Sequence, residues 1–133
     1  MLTGPVIILA LKIAVGAVTV LLLVALWALA RGNYRLHGRL NTLFTVLTLT
    51  AVVLFEGLLQ AGVDVTGHFT PADRLALRVH LGFVIPLIPV MLLMTWSGWR
   101  HRGWMHVRLG YLFLVLWAGM FVTGVFFLPH VAP

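Results

Sequence analysis

The sequence predicts an all-α integral membrane protein, a four-helix bundle with essentially no soluble domain. Three observations carry that prediction. Of 133 residues, 62% are hydrophobic and 9% charged, with a mean hydropathy of +1.09. A water-soluble domain of this size would have too little charge to solvate its surface. Four apolar runs, at 5–30, 40–60, 75–97 and 109–128, each reach the roughly 20 residues that cross a hydrocarbon core as helix. The runs are continuous rather than alternating, which argues against a transmembrane β-barrel. Lipid offers bare backbone no partner, so each run must close its hydrogen bonds within a helix.

With their flanking turns, the helices are expected over 5–30, 38–60, 71–97 and 106–128, in a single transmembrane domain. The first run ends in Ala28-Leu29-Ala30, which resembles a cleavage site for a signal peptide. No basic segment precedes it and the apolar stretch is too long, so it reads as a helix that stays. The third helix opens on Thr70-Pro71-Ala72-Asp73: an N-cap, a proline at the first helical position, and an acid in the first turn. Pro86 and Pro89 lie within it and each removes a backbone donor, so a kink or local opening is expected there. Short connections after the first and third helices make each neighbouring pair an antiparallel hairpin.

Charge sets the expected orientation. Arg31, Arg35 and Arg39 cluster at the first connection, and Arg100, Arg102 and Arg108 at the third. The middle connection balances Asp64 and Asp73 against Arg74 and Arg78. Excess arginine marks cytoplasmic loops, so both termini and the middle loop are expected outside the cytoplasm. The net charge of +6 then reflects membrane topology rather than nucleic-acid binding. Cysteine is absent, which excludes thiolate metal sites and disulfides. No nucleophile constellation, phosphate loop or carboxylate pair is present, so hydrolase and transferase chemistry has no support.

The two hairpins carry one pattern. His37-Gly38-Arg39-Leu40-Asn41-Thr42-Leu43-Phe44 matches His106-Val107-Arg108-Leu109-Gly110-Tyr111-Leu112-Phe113, and at the same offset of 69 residues Trp27 pairs with Trp96 and Arg31 with Arg100. Apolar composition accounts for recurring Leu and Phe, and interfaces favour Trp and Arg, but neither accounts for the shared register. A duplicated hairpin, related by a pseudo-two-fold axis along the membrane normal, is the expectation. It places His37 and His106 at equivalent points, a suitable pair of axial ligands for a haem, expected as haem b. Arg35, Arg39, Arg102 and Arg108 stand nearby as partners for haem propionates. Histidines that only tolerate headgroups or orient partner helices are the alternative, in an accessory subunit without cofactor.

Polar residues also enter the membrane. His37, Asn41, Thr45, Thr48, Val52, Glu56 and Gln60 recur every three or four residues along one face of the second helix, a face expected to look into the bundle. Lys12, Glu56, His80 and Thr123 fall at similar depth near the outer side, and a Lys12–Glu56 ion pair would lower the cost of both charges. His80 can serve as a metal ligand, a proton acceptor, a quinone contact or a structural hydrogen-bond partner. If His68 and His130 approached it, copper would be an option.

At this point the sequence resembles the CtaM-like family of small four-helix bacterial membrane proteins, a domain-of-unknown-function family linked with assembly of haem-copper cytochrome oxidases. The resemblance rests on His37 with Arg39, Val79-His80, His106-Val107-Arg108 and Thr123-Gly124-Val125, and runs from about residue 31 to 128. Asn41 or its neighbours stand where the family has Met, and the loop before the third helix is less aromatic than is usual there. The resemblance implies a bacterial inner membrane, membrane lipid and other subunits of a respiratory complex as partners, and His80 as a further site residue.

Overall fold

The computed structural model describes residues 3–131. Among them are four α-helices: α1 (Gly4–Ala30), α2 (Tyr34–Gln60), α3 (Pro71–Trp99) and α4 (Gly103–Phe127). Each is long and apolar enough to cross a membrane, which makes the chain a multi-pass, all-α membrane protein. Helices α2 and α4 start earlier than hydropathy predicts, at 34 and 103 rather than 38 and 106. Tyr34, Arg35, Trp104 and Met105 belong to the first turns because a helix needs only backbone hydrogen bonds to continue, whereas a hydropathy boundary marks where lipid would begin. Helix α3 runs to Trp99, two residues past expectation, and α4 stops at Phe127 because Leu128 is extended ahead of Pro129. The helical assignment of α3 is continuous through Pro86 and Pro89. Its start is as expected: Thr70 and Asp73 exchange side-chain-to-backbone bonds in a capping box.

The two hairpin turns are built alike. After α1, Gly32 N–H bonds Leu29 O and Asn33 N–H bonds Ala28 O; after α3, His101 N–H bonds Gly98 O and Arg102 N–H bonds Ser97 O. Both are the paired bonds of a Schellman motif, which needs a left-handed residue just past the helix. Gly32 fills that place at φ 74°, and His101 fills it at φ 53°. All these donors and acceptors match at the 69-residue offset.

Helices α1 and α2 pack along their length, as do α3 and α4, while α2 with α3 and α1 with α4 make smaller contacts. Side chains of α2 and α4 meet across the centre: Phe44 and Phe113 lie edge to face at 5.7 Å, and Trp117 completes the group at 4.9 Å from Phe44. Leu22, Leu87, Met91, Met94 and Met120 close the core around them. Burial repeats across the hairpins, with Leu22 and Met91, Ala25 and Met94, Ala28 and Ser97, Phe44 and Phe113, and Thr48 and Trp117 all buried. A second apolar cluster of Ile7, Ile8, Val65 and Phe69 seals the end that holds both termini.

Candidate functional site

The bundle has an arginine end, with the turns at 31–33 and 100–102, and a terminal end, with both chain termini and the 61–70 loop. The polar site lies at the arginine end. His37 Nδ1 is 2.8 Å from Ala25 O, and His106 Nδ1 is 2.8 Å from Met94 O. A carbonyl only accepts, so each ring carries a proton on Nδ1, and the neutral tautomer that this selects has its lone pair on Nε2. Each ring reaches back twelve residues across its own hairpin turn, in identical register. The two rings then meet, with centroids 6.2 Å apart and planes at 77°.

A cleft of about 900 Å³ opens beside them, lined chiefly by α2, the last turns of α3 and the start of α4. Its walls include Arg35, Arg39 and Arg102, and its polar lining includes Asn41, Thr42, Thr95 and Ser97. Asn41 is 7% exposed. Deeper in, the Thr45 and Thr95 hydroxyls bond each other at 2.8 Å, tying α2 to α3. Trp99 donates its indole N–H to Thr42 at 2.9 Å and bridges the same two helices. The Thr48 hydroxyl is buried without a partner.

Arg108 stands apart from the site predicted for it. Its guanidinium lies 5.3 Å over the Trp104 ring, and it does not line the cleft. Arg102 does, while also lying 5.6 Å over Trp96.

The polar stripe of α2 divides. Asn41, Thr45 and Thr48 are buried as expected, but Val52, Glu56 and Gln60 are exposed. The Lys12–Glu56 pair does not form. Glu56 accepts instead from Gln60 Nε2 one turn on. Lys12 Nζ donates to Leu128 O at 2.6 Å and to His130 Nδ1 at 2.8 Å. Equal depth on two helices fixes height only. Azimuth decides contact, and α1 turns Lys12 toward the tail that follows α4.

The three histidines of the terminal end also go separate ways. His80 Nδ1 donates to Thr123 Oγ1 at 3.0 Å, and the Thr123 hydroxyl in turn donates to Gly119 O at 2.7 Å. His68 Nε2 donates to Pro129 O at 3.2 Å, and His130 is held by Lys12. Among the described residues no three His, Cys, Asp or Glu side chains converge as a metal would require. Gly119 and Gly124 are needed where they stand, because Phe83 packs directly on the first and the His80 ring on the second.

Sequence reasoning missed the Ala25 and Met94 carbonyls, Thr95, Ser97 and the Trp99–Thr42 bridge. Backbone acceptors leave no residue-type signature. Trp99 has Ala30 as its counterpart at the repeat offset, so the repeat that highlighted the histidines passed over it.

Fold and site together define the class: a multi-pass four-helix membrane protein with a paired-imidazole cleft at its arginine-rich end. Comparison with protein-family models, with curated proteins and with solved structures finds no match.

Proposed function

We propose that this chain is a haem-associated protein of the bacterial inner membrane, holding a b-type haem between His37 and His106 and serving electron transfer or the assembly of a haem-copper respiratory oxidase. The observation that carries the reading is the matched imidazole pair. Two rings on different helices are each fixed by a carbonyl through Nδ1, with the lone pair of each neutral ring on Nε2. A metal-ligating histidine ordinarily donates its other ring N–H to such an acceptor, which sets its tautomer and orientation. The two rings lie 6.2 Å apart, centre to centre, and His37 and His106 would be the residues to hold the haem iron. The adjoining cleft falls in the size range of roughly 300–1,000 Å³ usual for cofactor sites.

In this reading Ala25 and Met94 orient the ligands, and Arg35, Arg39 and Arg102 pair with the propionates at the cleft wall. Arg108 has no part in it. Haem bound there supplies one-electron redox chemistry. The shared turn geometry and burial at the 69-residue offset support a duplicated hairpin with a pseudo-two-fold axis along the membrane normal. The arginine end is then cytoplasmic and both termini lie outside. The CtaM-like motifs are what connect the site to oxidase assembly and to other respiratory subunits as partners.

A second reading has its own support. The Nδ1–carbonyl bonds tie α2 to α1 and α4 to α3, so the histidines also serve as bolts in an accessory subunit without cofactor. Visible spectra of detergent-purified protein, oxidised and dithionite-reduced, separate the two. Haem ligation gives a Soret band and sharp reduced bands that His37→Ala and His106→Ala each abolish or turn high-spin. His101→Ala leaves them intact. Absence of a Soret band in wild-type protein made with ample haem sinks the haem reading in favour of the bolts. A chromophore or copper lost only on His80→Ala moves the cofactor to the terminal end.

A further inference from the structure

The arginine end holds more charge than the cleft uses. All six arginines of the two hairpin turns and their flanks gather there, whereas the three acids of the chain, Glu56, Asp64 and Asp73, lie at the terminal end. No carboxylate is therefore on hand to neutralise a guanidinium at this end. Two of the arginines outside the cleft are held in place by aromatic rings. The Arg31 guanidinium lies 5.6 Å over Trp27 at the end of α1, and Arg108 lies 5.3 Å over Trp104 at the start of α4. Helix α1 meets α4 at mid-bundle, through the bond from Trp117 Nε1 to Thr19 Oγ1 at 3.0 Å, and the two stacks sit on separate helices at the arginine end. Both indoles are exposed, 56% for Trp27 and 69% for Trp104.

Stacking engages one face of a guanidinium and leaves its N–H edge free, and that edge matches the oxygens of a phosphate two at a time. Trp prefers the depth of the lipid headgroups. A ring at that level holding an arginine therefore sets the guanidinium at the height of lipid phosphate. We propose that the Arg31–Trp27 stack and the Arg108–Trp104 stack each bind the phosphate of an anionic phospholipid, with its acyl chains lying along α1 or α4. Zwitterionic lipid also carries a phosphate, but its choline or ethanolamine cation is repelled by the same unneutralised arginines. Selectivity for the anionic class follows from the missing carboxylates. The two stacks share no residue with the haem proposal, so either proposal can fail alone.

Quenching of tryptophan fluorescence by lipids with brominated acyl chains tests it. The full-length protein is reconstituted in phosphatidylcholine vesicles, with a small fraction of brominated phosphatidylglycerol or brominated phosphatidylcholine. A lysine or arginine near the surface favours anionic lipid by about fivefold, so phosphatidylglycerol is expected to quench at a mole fraction about fivefold lower. Arg31→Gln with Arg108→Gln should bring the two lipids within about twofold. Each single change should give an intermediate value, which keeps the test open if the double variant does not fold. Arg74→Gln with Arg78→Gln, at the terminal end, should leave the preference unchanged. Trp27→Phe and Trp104→Phe should remove the selective part of the quenching. Equal quenching by both lipids in wild-type protein overturns the proposal. So does a preference that survives the Arg31/Arg108 double change. Displacement of brominated phosphatidylglycerol by soluble glycerol phosphate would mark a site for free anions rather than lipid, and overturns it too.

Discussion

Lys12 and Glu56 differ in what each has found. The Lys12 ammonium has two acceptors, Leu128 O and His130 Nδ1, both in the tail. Among the described residues Glu56 has the Gln60 amide. A double-mutant cycle of Lys12→Leu and Glu56→Ala should therefore be additive to within about 0.5 kcal/mol, as for residues that share no partner. A coupling of several kcal/mol in denaturant unfolding would show that the pair forms after all. The Thr45–Thr95 bond should behave in the opposite way. Either valine alone leaves a buried hydroxyl without its partner, at a cost of about 1–3 kcal/mol, while both together approach neutrality. A double change that costs the sum of the two single changes would mean that the bond carries no weight. Periodicity placed Thr45 on the inward face. It had no means of selecting Thr95, because a pairing between helices depends on how they cross.

At the scale of the element, the turns explain the helix ends. Gly32 and His101 hold the same left-handed place at the repeat offset. For an L-residue with a side chain that conformation costs roughly 1–2 kcal/mol, and glycine escapes most of the cost. His101→Gly should therefore stabilise the protein by about 1 kcal/mol, and Gly32→Ala should destabilise it by a similar amount. Both are measurable as shifts in thermal unfolding in detergent. A loss of stability in His101→Gly would reveal an interaction of the imidazole beyond its backbone role. The 69-residue offset pairs positions 32 and 101, but glycine and histidine share no residue-type likeness that would mark the pairing in the sequence. The backbone marks it: the place asks for glycine and α3 puts histidine there. The N-terminus of α3 was legible to the residue, because capping is local chemistry between Thr70 and Asp73. The C-terminus was not, because Trp99 continues a helix that hydropathy alone had no reason to extend.

For the whole molecule, the net charge sits at one end: the arginine end carries six arginines and no acid, while Lys12, Arg74 and Arg78 balance Glu56, Asp64 and Asp73 at the terminal end. If the arginine end faces the cytoplasm, reporter fusions after Arg35 and after Arg102 read cytoplasmic, and one near Thr66 reads external. A cytoplasmic signal at Thr66 would invert the orientation and, with it, the side from which the cleft is reached. The cleft itself was only half legible. The 69-residue offset singled out His37 and His106 from the sequence, and the ring contact at 6.2 Å brings them together. Its walls from α3, and the departure of Arg108 to Trp104, were not legible, since a shared register says nothing of where a long side chain turns.

The sequence by itself determined the class of this protein, its four spans, the one-sided placing of its arginines and the two histidines of its repeat. These follow from composition and spacing, which act through transfer to lipid and through the period of a helix, both properties of each segment alone. Only the tertiary structure decided which partners the polar groups take. Lys12 went to the tail rather than to Glu56, and His80 went to Thr123 rather than to His68 and His130. The imidazoles of His37 and His106 went to carbonyls across their own turns. Partner choice depends on the rotation of each helix about its axis and on its crossing with its neighbours. Those are set jointly by the packing of Phe44, Phe113 and Trp117 at the centre, where the contributions of separate segments meet.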